Sequence, residues 1–126
     1  MKVRGKILNV TSLAEEQIDE MYALMQSHYD GVKISSFRED LSEKDIVIIL
    51  CDSNNEIIGF STQKLLSINI NSKTVRIVFS GDTIIKKKYW GTTVLPITWG
   101  KMMMDIEIIW FCSNIRDAPF GQVLVE

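Results

Sequence analysis

Apolar residues along the chain change their period several times, and each change marks an element. Residues 3–10 mix charged and apolar side chains and close on Ile7-Leu8-Asn9-Val10, which predicts a first strand. Ile18, Met21, Tyr22, Met25, His28 and Tyr29 then recur at helical spacing, and Ser12 precedes Glu15 by three residues in the manner of a capping box. The spacing predicts a helix over 13–29, ended by Gly31. Ser36 and Glu39 repeat the capping pattern with Phe37 and Leu41 on one face, so a short second helix is expected from about Ser36 to about Ser42. Residues 45–50, DIVIIL, form a β-branched run of the kind found in a strand covered on both faces, and belong at the centre of a sheet.

Asp52-Ser53-Asn54-Asn55 and Asn71-Ser72-Lys73 carry turn chemistry that tolerates positive φ. They divide residues 45–85 into a three-strand antiparallel meander, its later strands over 57–70 and 74–85. On the last of these, Val75, Ile77 and Phe79 share one face, expected to be core. Thr74, Arg76, Val78, Ser80 and Asp82 share the other, expected to line a groove. Pro96 is tolerated only in a first helical turn, so the next helix starts near Thr93, capped by Thr92 or Thr93 and packed through Leu95, Trp99, Met102 and Met103. A strand over 106–112 and a tail over 113–126, holding Val123-Leu124-Val125, complete the pattern.

With 126 residues, 46% hydrophobic and 24% charged, the chain is expected to form one globular domain over 1–126. A net charge of −2 gives no reason to expect nucleic acid, and the Lys86-Lys87-Lys88 run is too short to change that. Cys51 and Cys112 lie in or beside apolar runs, which suits buried free thiols better than a disulfide or a metal site. No signal peptide and no apolar run of about 18 residues is evident, so the expectation is a cytoplasmic protein with no membrane partner.

The stretch over 75–93, VRIVFSGDTIIKKKYWGTT, concentrates the candidate chemistry. A strand interrupted by Ser80-Gly81-Asp82-Thr83 leads through Gly91-Thr92-Thr93 into a helix N-terminus, where backbone amides and the helix dipole suit an anion. The order strand, helix, short helix, three-strand meander, helix, strand resembles the first two thirds of the GNAT acyltransferase superfamily, an α+β fold with a central, mostly antiparallel sheet and helices on its faces. Segments EEQIDEMYALMQSHYDGV, EKDIVIIL, GFSTQ and VFSGDT…WG also resemble a group of uncharacterised bacterial GNAT-like proteins. In that superfamily a turn of the pattern Arg/Gln-x-x-Gly-x-Gly/Ala holds the pyrophosphate of acyl-coenzyme A. Here Lys88-Tyr89-Trp90-Gly91-Thr92-Thr93 corresponds to it, Lys88 and Gly91 matching and Thr93 standing where Gly or Ala is expected.

The resemblance implies acetyl-coenzyme A or another acyl-coenzyme A as cofactor and a small-molecule amine as acceptor. Lys88, Trp90, Gly91, Thr92, Thr93 and Ser80 are then the cofactor-binding candidates, with no metal. Asp82 becomes a candidate base, its pKa expected to be raised by burial beside Ser80 and Thr83, although a β-bulge that satisfies its own backbone explains the same residues. Tyr89 is a candidate acid, or a packing residue. His28, the single histidine, either transfers a proton or caps a helix C-terminus. Arg76 pairs with a substrate anion or with a carboxylate across the sheet. Gly59 marks a bulge or a close backbone approach. The superfamily continues past its fifth strand for about 40 residues, whereas fourteen follow Cys112, so the C-terminal part of the fold is expected to be missing or substituted and the open sheet edge hidden in a homodimer. Two functions stay open: acyl transfer from coenzyme A to an amine, and non-catalytic binding of a small ligand or partner by a dimeric GNAT-like module.

Overall fold

A computed structural model describes residues 2–106. The elements are β1 (Arg4–Asn9), α1 (Glu15–His28), α2 (Ile34–Ser42), β2 (Ile46–Cys51), β3 (Ile57–Ile70), β4 (Lys73–Ile85) and α3 (Val94–Ile106), with 3-10 turns at Val10–Ser12 and Lys87–Tyr89. The four strands form one antiparallel sheet in the order β1-β2-β3-β4. The α+β architecture expected from the sequence is therefore present, meander included.

Every residue of β2 is buried, because helices cover both faces of the sheet beneath it. Val47, Ile49, Cys51, Ile57, Phe60 and Ile84 point to one face, where Met21, Leu24 and Met25 of α1 and Phe37 and Leu41 of α2 close over them. Ile46, Ile48, Leu50, Ile58 and Val78 point to the other, against Leu95, Trp99 and Met102 of α3. Asn55, Asn71 and Ser72 take positive φ in the two hairpin turns, and Asp52 Oδ1 accepts the N–H groups of Asn54 and Glu56.

Several local expectations are corrected. Ser12 does not cap α1: its hydroxyl donates to Asn9 O, and the side chain of Gln17 accepts the N–H of Ala14 instead. Ser36 lies inside α2, which already starts at Ile34 because Phe37 N–H reaches Lys33 O at 3.0 Å. Ile106 closes α3 rather than opening a strand; the rest of that expected strand, Cys112 and the tail lie outside the described residues. On β4 the simple alternation fails: Ile77 and Val78 are both buried, whereas Phe79 is 36% exposed. A bulge further along the strand decides where the candidate residues beyond it point.

Candidate functional site

Ser61 pairs with Thr83 and Gln63 with Ser80, so Thr62 alone opposes Gly81 and Asp82. One extra residue on β4 makes this a β-bulge, and it reverses which face each following side chain takes. Ser80 and Thr83 consequently point toward α3, while Asp82 points toward α1 and α2. A Cβ at Gly81 would lie 2.6 Å from Thr62 Oγ1 and 2.7 Å from Lys44 Cε, so a larger residue at the bulge must displace both side chains.

On the α3 side the bulge is clamped by buried polar groups. Gln63, fully buried, donates from Nε2 to Ser61 Oγ at 2.8 Å, and its Oε1 accepts from Ser80 Oγ at 2.8 Å and from Trp99 Nε1 at 3.4 Å. Ser61 and Thr83 share a hydroxyl hydrogen bond of 2.8 Å. The carboxamide thus ties β3 to β4 on one side of the bulge, continues to its other side through Ser61, and holds α3. A second bulge, at Leu50/Cys51 against β3, brings Gly59 so close to β4 that a Cβ would sit 2.8 Å from Ile84 O.

On the opposite face Asp82 is exposed and lines a cleft of ≈ 460 Å³ with Met25, Tyr29, Val32, Ser36, Phe37 and Asp40. Beside it, Phe37, Asp40, Leu41, Lys44, Thr62 and Asp82 line a crevice too tight to hold a water. Thr62 is 2% exposed, and its hydroxyl has no hydrogen-bond partner. The burial beside Ser80 and Thr83 that was expected to tune Asp82 is absent, because the bulge sends those two hydroxyls to the other face. Another hollow, of ≈ 640 Å³, lies between α1 and the β2–β3 turn and is lined by exposed Glu20, Ser27, Asn55, Glu56 and Lys86.

The glycine turn sits at the far end of β4. Gly91 has φ +93 with open space where a Cβ would be, and Thr92 Oγ1 accepts the N–H of Val94 at 3.3 Å. Thr92 N–H is donated to Tyr89 O and Pro96 has none, which leaves the amides of Gly91, Thr93 and Leu95 without a partner among the described residues. Trp90 is 63% exposed and donates its indole N–H to Ile85 O at 2.8 Å. Lys88 is exposed, with Nζ 5.6 Å from the centre of the Tyr89 ring. That ring packs against the α3-side cluster, so Tyr89 and Asp82 serve opposite faces of the sheet.

His28 closes α1, its Nδ1 within 3.1 Å of Leu24 O and 3.0 Å of Ser27 Oγ, and it lines neither cleft. Arg76 is exposed on the distal arm of the β3–β4 hairpin, opposite Ser67. Gln63, Thr62 and Asp40 escaped the sequence reading. The polar run Ser61-Thr62-Gln63 inside an otherwise apolar strand was the available signal for the first two, because buried polar groups need a reason. Among the described residues no group of three His, Cys, Asp or Glu gathers to hold a metal, and no helix is long and apolar enough to cross a membrane.

No family model matches the chain, and no curated protein matches it. Solved structures do. A conserved protein of unknown function from Enterococcus faecalis V583, assigned as a probable N-acyltransferase, is similar with a TM-score of 0.66 at 11% identity, covering 98% of this chain and 32% of its own. Glucosamine-6-phosphate N-acetyltransferase from Arabidopsis thaliana gives a TM-score of 0.62 at 8% identity, covering 100% of this chain and 92% of its own. AAC(6')-Iy, in complex with the bisubstrate analogue CoA-S-monomethyl-acetylneamine, gives 0.66 at 12% identity, covering 98% and 90%. The chain spans about a third of the Enterococcus protein and nearly all of the other two. Four antiparallel strands, a bulged β4 and a glycine turn into α3 thus occur in a chain that superposes on acetyltransferases along its length: its fold is the GNAT fold.

Proposed function

We propose that the protein is a GNAT-like acyltransferase, one domain over residues 1–126, that moves an acyl group from coenzyme A to a small-molecule amine. The observation that supports this most is the bulge at Gly81-Asp82, which aims a carboxylate into a cleft walled by α1 and α2 while the same strand runs on to the glycine turn. The turn suits a phosphate: the amides of exposed Gly91 and Thr93 have no partner among the described residues at the start of a 13-residue helix, nothing lies within 4 Å of where a Gly91 Cβ would be, and Lys88 adds positive charge. Thr92 orients the turn through Val94, Thr93 contributes its amide, and Trp90 offers an exposed ring face to a nucleobase.

Coenzyme A, when bound, supplies the acyl group as a thioester. The residues of the chain do the rest. Gly91 and Thr93 bind phosphate oxygens, Ser80 and Gln63 hold the bulge, and Asp82 takes the proton released by the attacking amine, directly or through one water. Tyr89 keeps the turn in place through its packing, and His28 ends α1; neither is needed for proton transfer in this scheme. A non-catalytic binding module is the second reading, favoured by Thr93 in place of Gly or Ala and by the separation of Tyr89 from Asp82. A homodimer, in the cytoplasm, belongs to the same proposal: β4 is an outer strand of the described sheet, and Leu66, Ile68, Ile70 and Phe79 of the hairpin arm are each more than a third exposed. Light scattering at twice the monomer mass supports the dimer, and monomer mass removes it.

Thermal unfolding with acetyl-coenzyme A tests cofactor binding. At a ligand concentration about 100-fold above Kd, stability rises by roughly 2.7 kcal/mol. Gly91→Ala, strained at positive φ, should reduce that gain. No stabilisation near 1 mM acetyl-coenzyme A would remove the acyltransferase reading.

A further inference from the structure

Lys44 follows the C-cap residue of α2 and is the one cation among the described residues that line the α1/α2 cleft and the crevice beside it. It is half-buried, and its stem lies over the bulge: a Cβ at Gly81 would meet Lys44 Cε at 2.7 Å. Asp82 lines the same crevice, which is too tight to hold a water, so the lysine stem rests directly against the strand that carries Asp82.

The amine at the end of that stem is loosely held. Lys44 forms no ion pair among the described residues, whereas Lys64 lies 3.9 Å from the Asp45 carboxylate. The one polar contact of its side chain among those residues, Nζ to Asp40 O, is 3.5 Å long, beyond the usual range of an N–H···O hydrogen bond. Nor does the end of α2 need the lysine as a cap, because Asp40 O already accepts the N–H of Glu43 at 3.2 Å. Lysine has a flexible four-carbon stem, so the nitrogen can swing past Asp40 into the open cleft, where Asp82 is exposed. An amine tethered there meets the base without the loss of translational freedom that a free amine suffers.

We infer that Lys44 is a site of self-acylation: its side-chain amine takes the acyl group from a coenzyme A thioester, with Asp82 as the base. The inference rests on the acyltransferase reading for the arrival of the thioester, and goes beyond it in placing an acceptor on the chain itself. In its neutral form Lys44 Nζ forms a C–N bond to the thioester carbonyl carbon. The C–S bond breaks, its electron pair leaving with the thiolate of coenzyme A. The proton lost from nitrogen passes to Asp82 and from there to the thiolate or to solvent; nothing is oxidised or reduced. The product is a neutral amide on a longer side chain beside Asp82.

Incubation of the full chain with acetyl-coenzyme A, followed by peptide mass mapping, tests this. Lys44 should gain an acetyl group about ten-fold or more faster than Lys73 and Lys101, which are exposed and line neither hollow, and at a rate that does not change when the protein is diluted. Asp82→Asn should slow the reaction at Lys44 by about 10²-fold or more. With limiting acetic anhydride and no coenzyme A the order should reverse, half-buried Lys44 being labelled more slowly than exposed Lys73. If acetyl-coenzyme A stabilises the protein but modifies Lys44 no faster than Lys73, the inference is overturned and the acyltransferase reading stands. A rate that depends on protein concentration, an Asp82→Asn variant modified like the wild type, or anhydride labelling that already favours Lys44 would overturn it as well. Failure of acetyl-coenzyme A to stabilise the protein at all would overturn both.

Discussion

Gln63 Oε1 and Ser80 Oγ meet at 2.8 Å across the β3–β4 pair, immediately before the point where β4 bulges. Through the Nε2 bond to Ser61, and from Ser61 to Thr83, the same carboxamide reaches past the bulge, so the two ends of the defect are fixed by one side chain. What looks like an interior polar residue is the clamp that turns Asp82 toward the α1/α2 cleft.

Gln63→Leu should therefore destabilise the protein by about 2–4 kcal/mol, since it leaves the hydroxyls of buried Ser61 and half-buried Ser80 without their carboxamide partner. Urea unfolding measures the loss. A cost within about 0.5 kcal/mol, the range of ordinary surface substitutions, would mean that the network does not hold the bulge.

The opposite side of the bulge makes a different prediction. Gly81→Ala places a methyl against Thr62 and should cost about 1–3 kcal/mol, whereas Thr62→Val, which replaces an unpartnered buried hydroxyl in a strand, should be neutral or stabilising by about 1 kcal/mol. A loss of more than about 1 kcal/mol on Thr62→Val would show that Thr62 has a partner in the native protein.

Cys51 supplies a pH prediction. Burial, the largest influence, pushes its thiol pKa up, with Glu20 and Asp52 adding to it and Lys6 and Arg4 opposing. A folded-state pKa above the unfolded one means that the neutral thiol is favoured by folding. Its contribution is complete below the unfolded value of about 8.5 and is lost as pH rises through the folded value. Unfolding free energy should thus fall above about pH 8.5, and Cys51→Ala should flatten that limb. Ellman titration at pH 8 checks the same burial: native Cys51 should react only at the rate of unfolding, and immediate labelling of Cys51 would contradict it.

The order of elements was legible because period changes and turn chemistry agreed: the DIVIIL run, the Asn-rich turns and Pro96 each bound one element, and β3 falls on the expected 57–70. Capping was read less well. Ser12 and Ser36 carry the right spacing, but Gln17 and the earlier start at Ile34 take precedence, since packing of Phe37 and Leu41 sets where α2 begins. The largest miss was the facing of Asp82. Alternation along a strand assigns it to the side of Ser80; the Ser80-Gly81-Asp82-Thr83 run offered a β-bulge as an alternative, but which residue is inserted, and so which way Asp82 faces, follows from Thr62 pairing against two residues. That pairing is a relation between strands, and no single stretch of sequence contains it. Asp40 was missed for a similar reason, as its relevance arises from α2 lying over the bulge.

The account depends most on Asp82 removing a proton from an amine during acyl transfer. Release of free thiol from acetyl-coenzyme A, followed with a panel of small primary amines for the wild type and for Asp82→Asn, tests this directly. The prediction is amine-dependent thiol release that falls about 10²–10⁴-fold in Asp82→Asn, with acetyl-coenzyme A affinity unchanged. Thiol release no faster with amine than without it, or an Asp82→Asn variant that turns over like the wild type, would contradict the account.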